Sequence, residues 1–132
     1  MSINLFVALA MALTMSAPPR TAPAEVTRLL LERIAVPGTQ MEQRLYLITY
    51  PPGATAPIHD HPVDGIGYIV SGEAESAFDG EEAHRLRAGE GFLDPGHRVH
   101  RLFRNASADQ PLVFLVCYVI APGEAAMRPL PQ

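Results

Sequence analysis

Two of the five histidines stand two positions apart, and their type and spacing could build a metal site. They are His59 and His61. Residues i and i+2 of a β-strand point to the same face, so a strand here would aim both imidazoles in one direction. Two imidazoles on one face supply half of the ligand set that a divalent metal usually takes. Such a pair is more often two partly exposed polar side chains than two metal ligands, and both interpretations stay open at this point.

The chain around these histidines resembles the first conserved motif of the cupin superfamily. The matching residues are Gly53-x5-His59-Asp60-His61-x6-Tyr68-Ile69-Val70-Ser71-Gly72. A later stretch is similar to the second cupin motif and reads Gly89-x5-Pro95-x4-His100, with Asn105 shortly after. The resemblance spans roughly residues 44–120. Two motifs in the expected order, with a predicted hairpin between them, make the resemblance specific.

The resemblance implies a fold, a metal site and a quaternary structure. The implied fold is all-β, a small antiparallel β-barrel with jelly-roll topology, as in small single-domain cupins of type 2. His59, His61 and His100 are the implied ligands of one divalent metal ion in the mouth of the barrel. Three neutral imidazoles suit Fe, Zn, Ni, Mn or Cu and leave coordination positions for water or substrate. A homodimer is the implied oligomer.

Both motifs depart from the usual cupin pattern. Gly65 stands where the first motif normally has a glutamate ligand. Asp64 precedes it, but adjacent strand residues face opposite sides, so Asp64 becomes a fourth ligand only if a bulge or loop turns it inward. Gly65 and Gly67 share the inward face and are expected to leave open volume beside the histidines. In the second motif His97 replaces a glycine, on a turn where a solvent-facing histidine is expected.

This set of residues favours an enzyme that acts on a small organic molecule by dioxygen chemistry or by Lewis-acid polarisation. The alternative is a binding or sensory module that holds a small ligand without turnover, with or without metal. Arg98 shares strand parity with His100 and could pair with a substrate carboxylate or phenolate, although a charged, solvated strand edge is the simpler explanation. The motif region offers few side chains that could act as a general base: Asp64, Asp94 and Tyr68.

The elements that would position these residues are short apolar or alternating runs, separated by Pro, Gly and Asp at intervals of about ten residues. This rhythm is typical of an all-β sandwich or barrel. The predicted strands cover residues 28–35, 44–50, 56–60, 66–70, 73–78, 83–86, 91–93, 98–104 and 111–120. Asp79-Gly80 predicts a type I′ turn, which requires positive φ at both residues. The proline-rich tail at 121–132 is expected to be extended and partly mobile.

Composition narrows the possible partners and chemistries. The chain has 132 residues, a length typical of a single domain. Its net charge is -4, which argues against binding to nucleic acid or to anionic membranes. All ten basic residues are arginines, and the absence of lysine excludes Schiff-base chemistry and pyridoxal phosphate attachment. The single cysteine, Cys117, excludes an internal disulfide, and its apolar surroundings predict a packed, structural thiol.

Residues 1–24 differ from the rest and predict a signal peptide. Leu5–Met15 is an uncharged run of 11 residues, too short to span about 30 Å of hydrocarbon, so no stable membrane span is expected. Small residues at Ala22 and Ala24 match a cleavage pattern, with cleavage expected after Ala24. We therefore expect a periplasmic or secreted protein whose domain covers 25–132. Because no Lys or Arg precedes the apolar run, a leader without an export role remains the alternative.

Overall fold

A computed structural model describes residues 25–131. Ten β-strands account for the regular structure of this part of the chain, which contains no helix. The strands are β1 (Thr27–Ala35), β2 (Glu42–Tyr50), β3 (His59–Asp60), β4 (Gly65–Ser71), β5 (Glu73–Phe78), β6 (His84–Arg87), β7 (Gly91–Asp94), β8 (His100–Asn105), β9 (Leu112–Ile120) and β10 (Arg128–Pro129).

The strands form two five-stranded antiparallel sheets whose inner faces share one core. The first sheet has the order β1-β2-β9-β4-β7, and the second has the order β10-β3-β8-β5-β6. The predicted all-β fold with jelly-roll topology is confirmed. The sheets pack face to face, and in the described part of the chain their hydrogen bonding does not close into one continuous barrel.

Buried and less buried residues alternate along β9, the central strand of the first sheet. Its even-numbered residues, from Leu112 to Ile120, are buried, whereas the residues between them are half-buried or exposed. This period of two matches the pleat of a strand that has one face on the core. β9 pairs with β2 over its whole length and with β4 on its other side. Phe103 of the second sheet packs edge-on against Tyr50 and Phe114 of the first, with ring centroids 5.6 and 5.3 Å apart.

Every predicted strand is present, with three local differences. The predicted strand at 56–60 shrinks to β3, because Pro57 has no N–H to donate to a ladder. The tail adds β10, which pairs with β3. The type I′ turn is wrong: Gly80 has a φ of 79°, but Asp79 does not adopt positive φ. Pairing of β5 with β6 ends at Ser76 and His84, so the connection is longer than a two-residue turn.

The C-terminal segment, residues 121–131, begins with a turn and is held against both sheets. The buried guanidinium of Arg44 donates to two of its carbonyl oxygens, at 2.7 and 2.9 Å. Arg128 forms a two-pronged ion pair with Asp60, at 2.8 and 3.0 Å. These contacts carry the middle of the segment across the opening between the sheets, beside β3.

The first sheet turns an apolar face away from the core. The large apolar side chains exposed on this outer apolar face are Leu29, Ile34, Ile66, Tyr68, Val70, Leu93 and Val119. Cys117 lies half-buried on the same face, where its Sγ accepts a hydrogen bond from Gln43, so the predicted packed core thiol is wrong. The reason is its odd position on β9, whose odd-numbered residues point outward.

The predicted signal peptide at 1–24 lies outside the described residues. Within residues 25–131, no helix is long and apolar enough to cross a membrane.

Candidate metal centre

Three histidines meet in the opening between the two sheets. His59 of β3 and His100 of β8 are directly paired across neighbouring strands, and His61 follows β3 by one residue. Each of the three is only 4% exposed. One ring nitrogen from each lies within 4.8 Å of those of the other two. The structure therefore brings together the histidines that both motifs singled out.

Hydrogen bonds to surrounding groups fix which nitrogen of each ring faces the centre. The Nδ1 atoms of His59 and His61 lie 2.8 and 2.6 Å from the carbonyl oxygens of Pro57 and Ala126, which can only accept. Both rings therefore carry their proton on Nδ1 and turn Nε2 towards the centre. His100 is held the other way round, with Nε2 2.9 Å from Ser76 Oγ and Nδ1 turned inward.

The first sheet adds a carboxylate to the three histidines. Asp94, the last residue of β7, is 7% exposed, with Oδ2 3.0 Å from His61 Nε2 and Oδ1 3.6 Å from His100 Nδ1. The hydroxyl of Tyr118 donates to Asp94 Oδ2 at 2.6 Å. Asp94 is paired across the sheet with Gly65, the position that lacks the usual glutamate. A carboxylate thus reaches the histidines from the strand next to β4.

Sequence reasoning considered Asp94 as a general base and missed its place beside the histidines. Alternation could have put Asp94 on the inner face of its strand, but the pairing of β7 with β4 brings it opposite Gly65, and that register carries no local sequence signal.

The two inward glycines of β4 do not leave the open volume that was expected. A Cβ built on Gly65 would lie 2.9 Å from Tyr118 Cδ1 and closer still to Cε1, and one built on Gly67 would overlap the ring of Phe92. The aromatic rings fill the space that missing side chains leave. Gly65 in particular lets Tyr118 approach Asp94, because β4 lies between β9 and β7.

The donor set fits a cation. His61 Nε2, Asp94 Oδ1 and His100 Nδ1 are buried and have no hydrogen-bond partner among the described residues. Because Nδ1 of His61 holds the ring's proton against Ala126, its Nε2 lone pair faces an ionised carboxylate 3.0 Å away. Two acceptors at that distance repel unless an extra proton or a metal ion lies between them. Imidazole nitrogen and carboxylate oxygen are ligands that Zn²⁺ and similar divalent ions accept.

Burial and neighbouring charges shift the pKa values of the cluster in different directions. Burial lowers the pKa of His59 to about 4, so its imidazole is neutral at neutral pH. Burial also acts to lower the pKa of His61, but the adjacent carboxylate of Asp94 outweighs it, and the net pKa is raised. Burial acts to raise the pKa of Asp94, but the neighbouring His100, His61 and Tyr118 outweigh it and hold that pKa well below its usual range. Burial and the charge of Asp94 raise the pKa of Tyr118, so the phenol keeps its proton.

A pocket of about 260 Å³ opens onto the cluster, a volume suited to a small molecule. Its walls are largely aromatic and aliphatic, with the histidines and Asp94 as polar groups. The lining residues are Arg28, Tyr46, Ile48, Tyr50, His59, His61, Phe92, Asp94, His100, Phe103, Phe114, Tyr118, Ala125, Ala126 and Met127.

Other residues singled out in the sequence lie away from this pocket. Asp64 is exposed, and its Oδ1 accepts a hydrogen bond from the N–H of Gly96 at 2.8 Å. Arg98 pairs with Glu81 at 2.8 Å and lies over the ring of Phe78, outside the pocket lining.

The four remaining residues that the sequence singled out also lie outside the pocket lining. His84, His97 and Tyr68 are exposed in the structure. Asn105, which follows the second motif, is 1% exposed, and its amide nitrogen donates to three backbone carbonyl oxygens, so it braces loops.

Comparison with known proteins identifies similar chains. Over 73 residues the chain is 32% identical to dimethylsulfoniopropionate lyase DddQ of Ruegeria pomeroyi, a match that covers 55% of this chain and 35% of that protein. The solved structure of that lyase aligns with a TM-score of 0.62 at 27% identity, over 80% of this chain and 51% of the other. The chain thus spans about a third of the curated relative and about half of its solved chain.

A conserved protein with a double-stranded β-helix domain from Klebsiella pneumoniae has the same fold. It aligns with a TM-score of 0.61 at 24% identity, over 86% of this chain and 90% of the other. The sequence model of the cupin domain matches residues 46–118, more than half of the chain and the whole stretch between the two motifs. The protein therefore belongs to the cupin family.

Proposed function

We propose that the protein binds one divalent metal ion through His59, His61 and His100, with Asp94 as the neighbouring anion. The observation that carries this proposal is the set of buried acceptor atoms that face one another without a partner among the described residues. When bound, the ion would act as a Lewis acid that polarises an oxygen of a small organic substrate.

The test is elemental metal analysis of protein purified without a polyhistidine tag or chelator. Wild type should contain about one divalent ion per chain, and a His59→Ala/His100→Ala variant should contain none. His84→Ala is the matched control, because His84 is an exposed imidazole away from the pocket, and it should keep the metal. No metal in wild type after reconstitution with Fe(II), Zn, Ni, Mn and Cu would refute the proposal.

We propose lyase chemistry on a small sulfonium carboxylate as the first reaction to examine, because of the similarity to dimethylsulfoniopropionate lyase. In such an elimination, a base takes a proton from the carbon beside the carboxylate. The C–H electrons form a C=C bond, and the C–S electrons leave with sulfur as dimethyl sulfide, giving acrylate. Asp94, ionised and held by Tyr118, supplies the anion beside the histidines in this pocket. The aromatic walls suit a sulfonium cation through cation–π attraction.

Two measurements on metal-loaded protein separate the candidate functions. Dimethyl sulfide in the headspace without oxygen consumption supports the lyase. Oxygen uptake with phenolic or keto-acid substrates supports a dioxygenase instead. Saturable binding of a small molecule with neither reaction supports the binding or sensory module, which the mostly apolar pocket favours as the second candidate.

We propose a second copy of the chain as the partner of the outer apolar face. Five strands and about seven residues per strand give this face an area on the order of 550 Å². Each side of a small stable dimer buries about 600 Å². Ile66 and Leu93, paired across β4 and β7, are 69% and 73% exposed. Light scattering should give twice the chain mass for wild type and a monomer for Leu93→Arg; a monomeric wild type would contradict the proposal.

We propose export for the full-length protein, on the strength of its apolar N-terminal run. The intact mass of the protein from the periplasmic fraction should correspond to a chain that begins at Glu25. Full-length mass in the cytoplasm alone would contradict export.

A further inference from the structure

An arginine lies at the pocket that holds the histidines, on the inner face of the first sheet. Arg28 of β1 is paired with Ile48 of β2, which belongs to the buried core, so both side chains point to the inner side. Arg28 lines the same pocket as the histidines and Asp94. Arg28 is an exposed residue, so its guanidinium is accessible from solvent.

The guanidinium of Arg28 has only neutral partners among the described residues. It donates to the hydroxyl of Tyr50 at 3.3 Å and to the sulfur of Met127 at 3.6 Å, both at the long end of hydrogen-bond distance. It also lies 6.0 Å from the centre of the Tyr50 ring. Six of the eight other described arginines form ion pairs with carboxylates: Arg44, Arg85, Arg87, Arg98, Arg104 and Arg128. Arg28 has none.

These contacts orient the cation and leave donors free. A guanidinium has five N–H groups in a planar fork, and two weak bonds to neutral atoms leave most of them available. The fork matches a carboxylate, to which it can donate two parallel hydrogen bonds. Asp94 supplies a negative charge in the same pocket, and aromatic walls make up most of the remaining lining. The pocket therefore has a cation and an anion on an apolar background.

We propose that Arg28 anchors the carboxylate of the substrate, so that this pocket selects small organic carboxylates whose other end packs against the aromatic walls. The inference rests on the proposed function only in assuming that the pocket is the substrate site. The anchor acts independently of any metal ion, because Arg28 is not among the clustered ligands.

The test is titration of the protein with propionate and with its neutral analogue propionamide, followed by ligand-observed NMR. Wild type should bind propionate at least about tenfold more tightly than propionamide, since a hydrogen bond to a charged group contributes more free energy than one between neutral groups. Arg28→Gln should weaken propionate binding about tenfold and leave propionamide unchanged. Arg28→Lys keeps the charge but not the fork, so its affinity for propionate should lie between those of wild type and Arg28→Gln. Arg33→Gln is the matched control: it removes the same charge from the same strand outside this pocket, and it should bind like wild type.

The His59→Ala/His100→Ala variant separates the anchor from the metal site. Propionate binding that depends on Arg28 should persist in this variant. If the variant loses propionate binding, the carboxylate binds at the metal and the anchor is refuted. Equal propionate affinity in wild type and Arg28→Gln would also refute it. Wild type that takes up no metal after reconstitution but still binds propionate through Arg28 would overturn the proposed metal site and leave the anchor intact.

Discussion

Gly65→Ala should destabilise the protein severely, although it adds a single methyl group in a strand. Gly65 lies between Tyr118 of β9 and Asp94 of β7, and it is paired with both. The new Cβ would lie 2.9 Å from Cδ1 and 3.1 Å from Cζ of the Tyr118 ring. The ring is 4% exposed and stacks on His61 with 5.4 Å between ring centroids, so it has little room to retreat.

The expected loss has two parts. To restore ordinary contact the ring must retreat by about 1 Å, and such overpacking costs about 1–3 kcal/mol. The same retreat breaks the 2.6 Å hydrogen bond from Tyr118 to Asp94. A hydrogen bond to a charged group contributes about 1.5–3 kcal/mol. We therefore expect the free energy of unfolding to fall by about 3–5 kcal/mol, and the melting temperature by roughly 15 °C or more.

Urea unfolding of metal-free protein measures this loss, with two controls. Gly91→Ala is the matched control, because a Cβ there meets its nearest atom at an ordinary 3.6 Å, and its stability should stay within about 1 kcal/mol of wild type. Tyr118→Phe removes only the hydroxyl, so adding Gly65→Ala to it should cost only the packing part, and the two changes should not be additive. A Gly65→Ala protein within about 1 kcal/mol of wild type, or strict additivity with Tyr118→Phe, would refute the reasoning.

Three further outcomes are expected. Asp94→Asn should weaken metal binding by about tenfold or more, because the neutral amide no longer supplies the negative charge beside His61 and His100; metal titration measures this, and an unchanged affinity would contradict it. Asn105→Ala should lower the free energy of unfolding by about 3 kcal/mol, because buried carbonyl groups lose their donor; urea titration measures this, and a change below about 1 kcal/mol would contradict it. Zn²⁺ at about 100 times its dissociation constant should stabilise wild type by about 2.7 kcal/mol and His59→Ala/His100→Ala not at all, as read from thermal melts; equal shifts would point to binding elsewhere.

The strands could be predicted because their signals are local. Alternation of apolar residues and the spacing of Pro, Gly and Asp located each strand to within a few residues. Where prediction failed, the deciding contact came from another element. β10 forms only because residues 128–129 pair with β3, and the turn after Phe78 follows from where β5 and β6 stop pairing.

The candidate site likewise contains residues that could be found from the sequence and residues that could not. His59 and His61 share a short stretch of chain, and the resemblance to the two cupin motifs added His100, so the family resemblance selected all three. The sequence by itself thus determined an all-β cupin with three clustered histidines and without the usual glutamate at position 65. Its local patterns act within a few residues of chain, which is the range over which pleat and turn chemistry operate.

Only the tertiary structure decided which carboxylate lies beside the histidines and which other segments border the pocket. Asp94 reaches the histidines because β7 pairs with β4 in the register that sets it opposite Gly65. Ala126 reaches His61 across 65 positions of sequence, and Arg28 enters the pocket through the pairing of β1 with β2. Strand register and sheet packing are set by the burial of the whole core, so no single segment of the chain encodes these contacts.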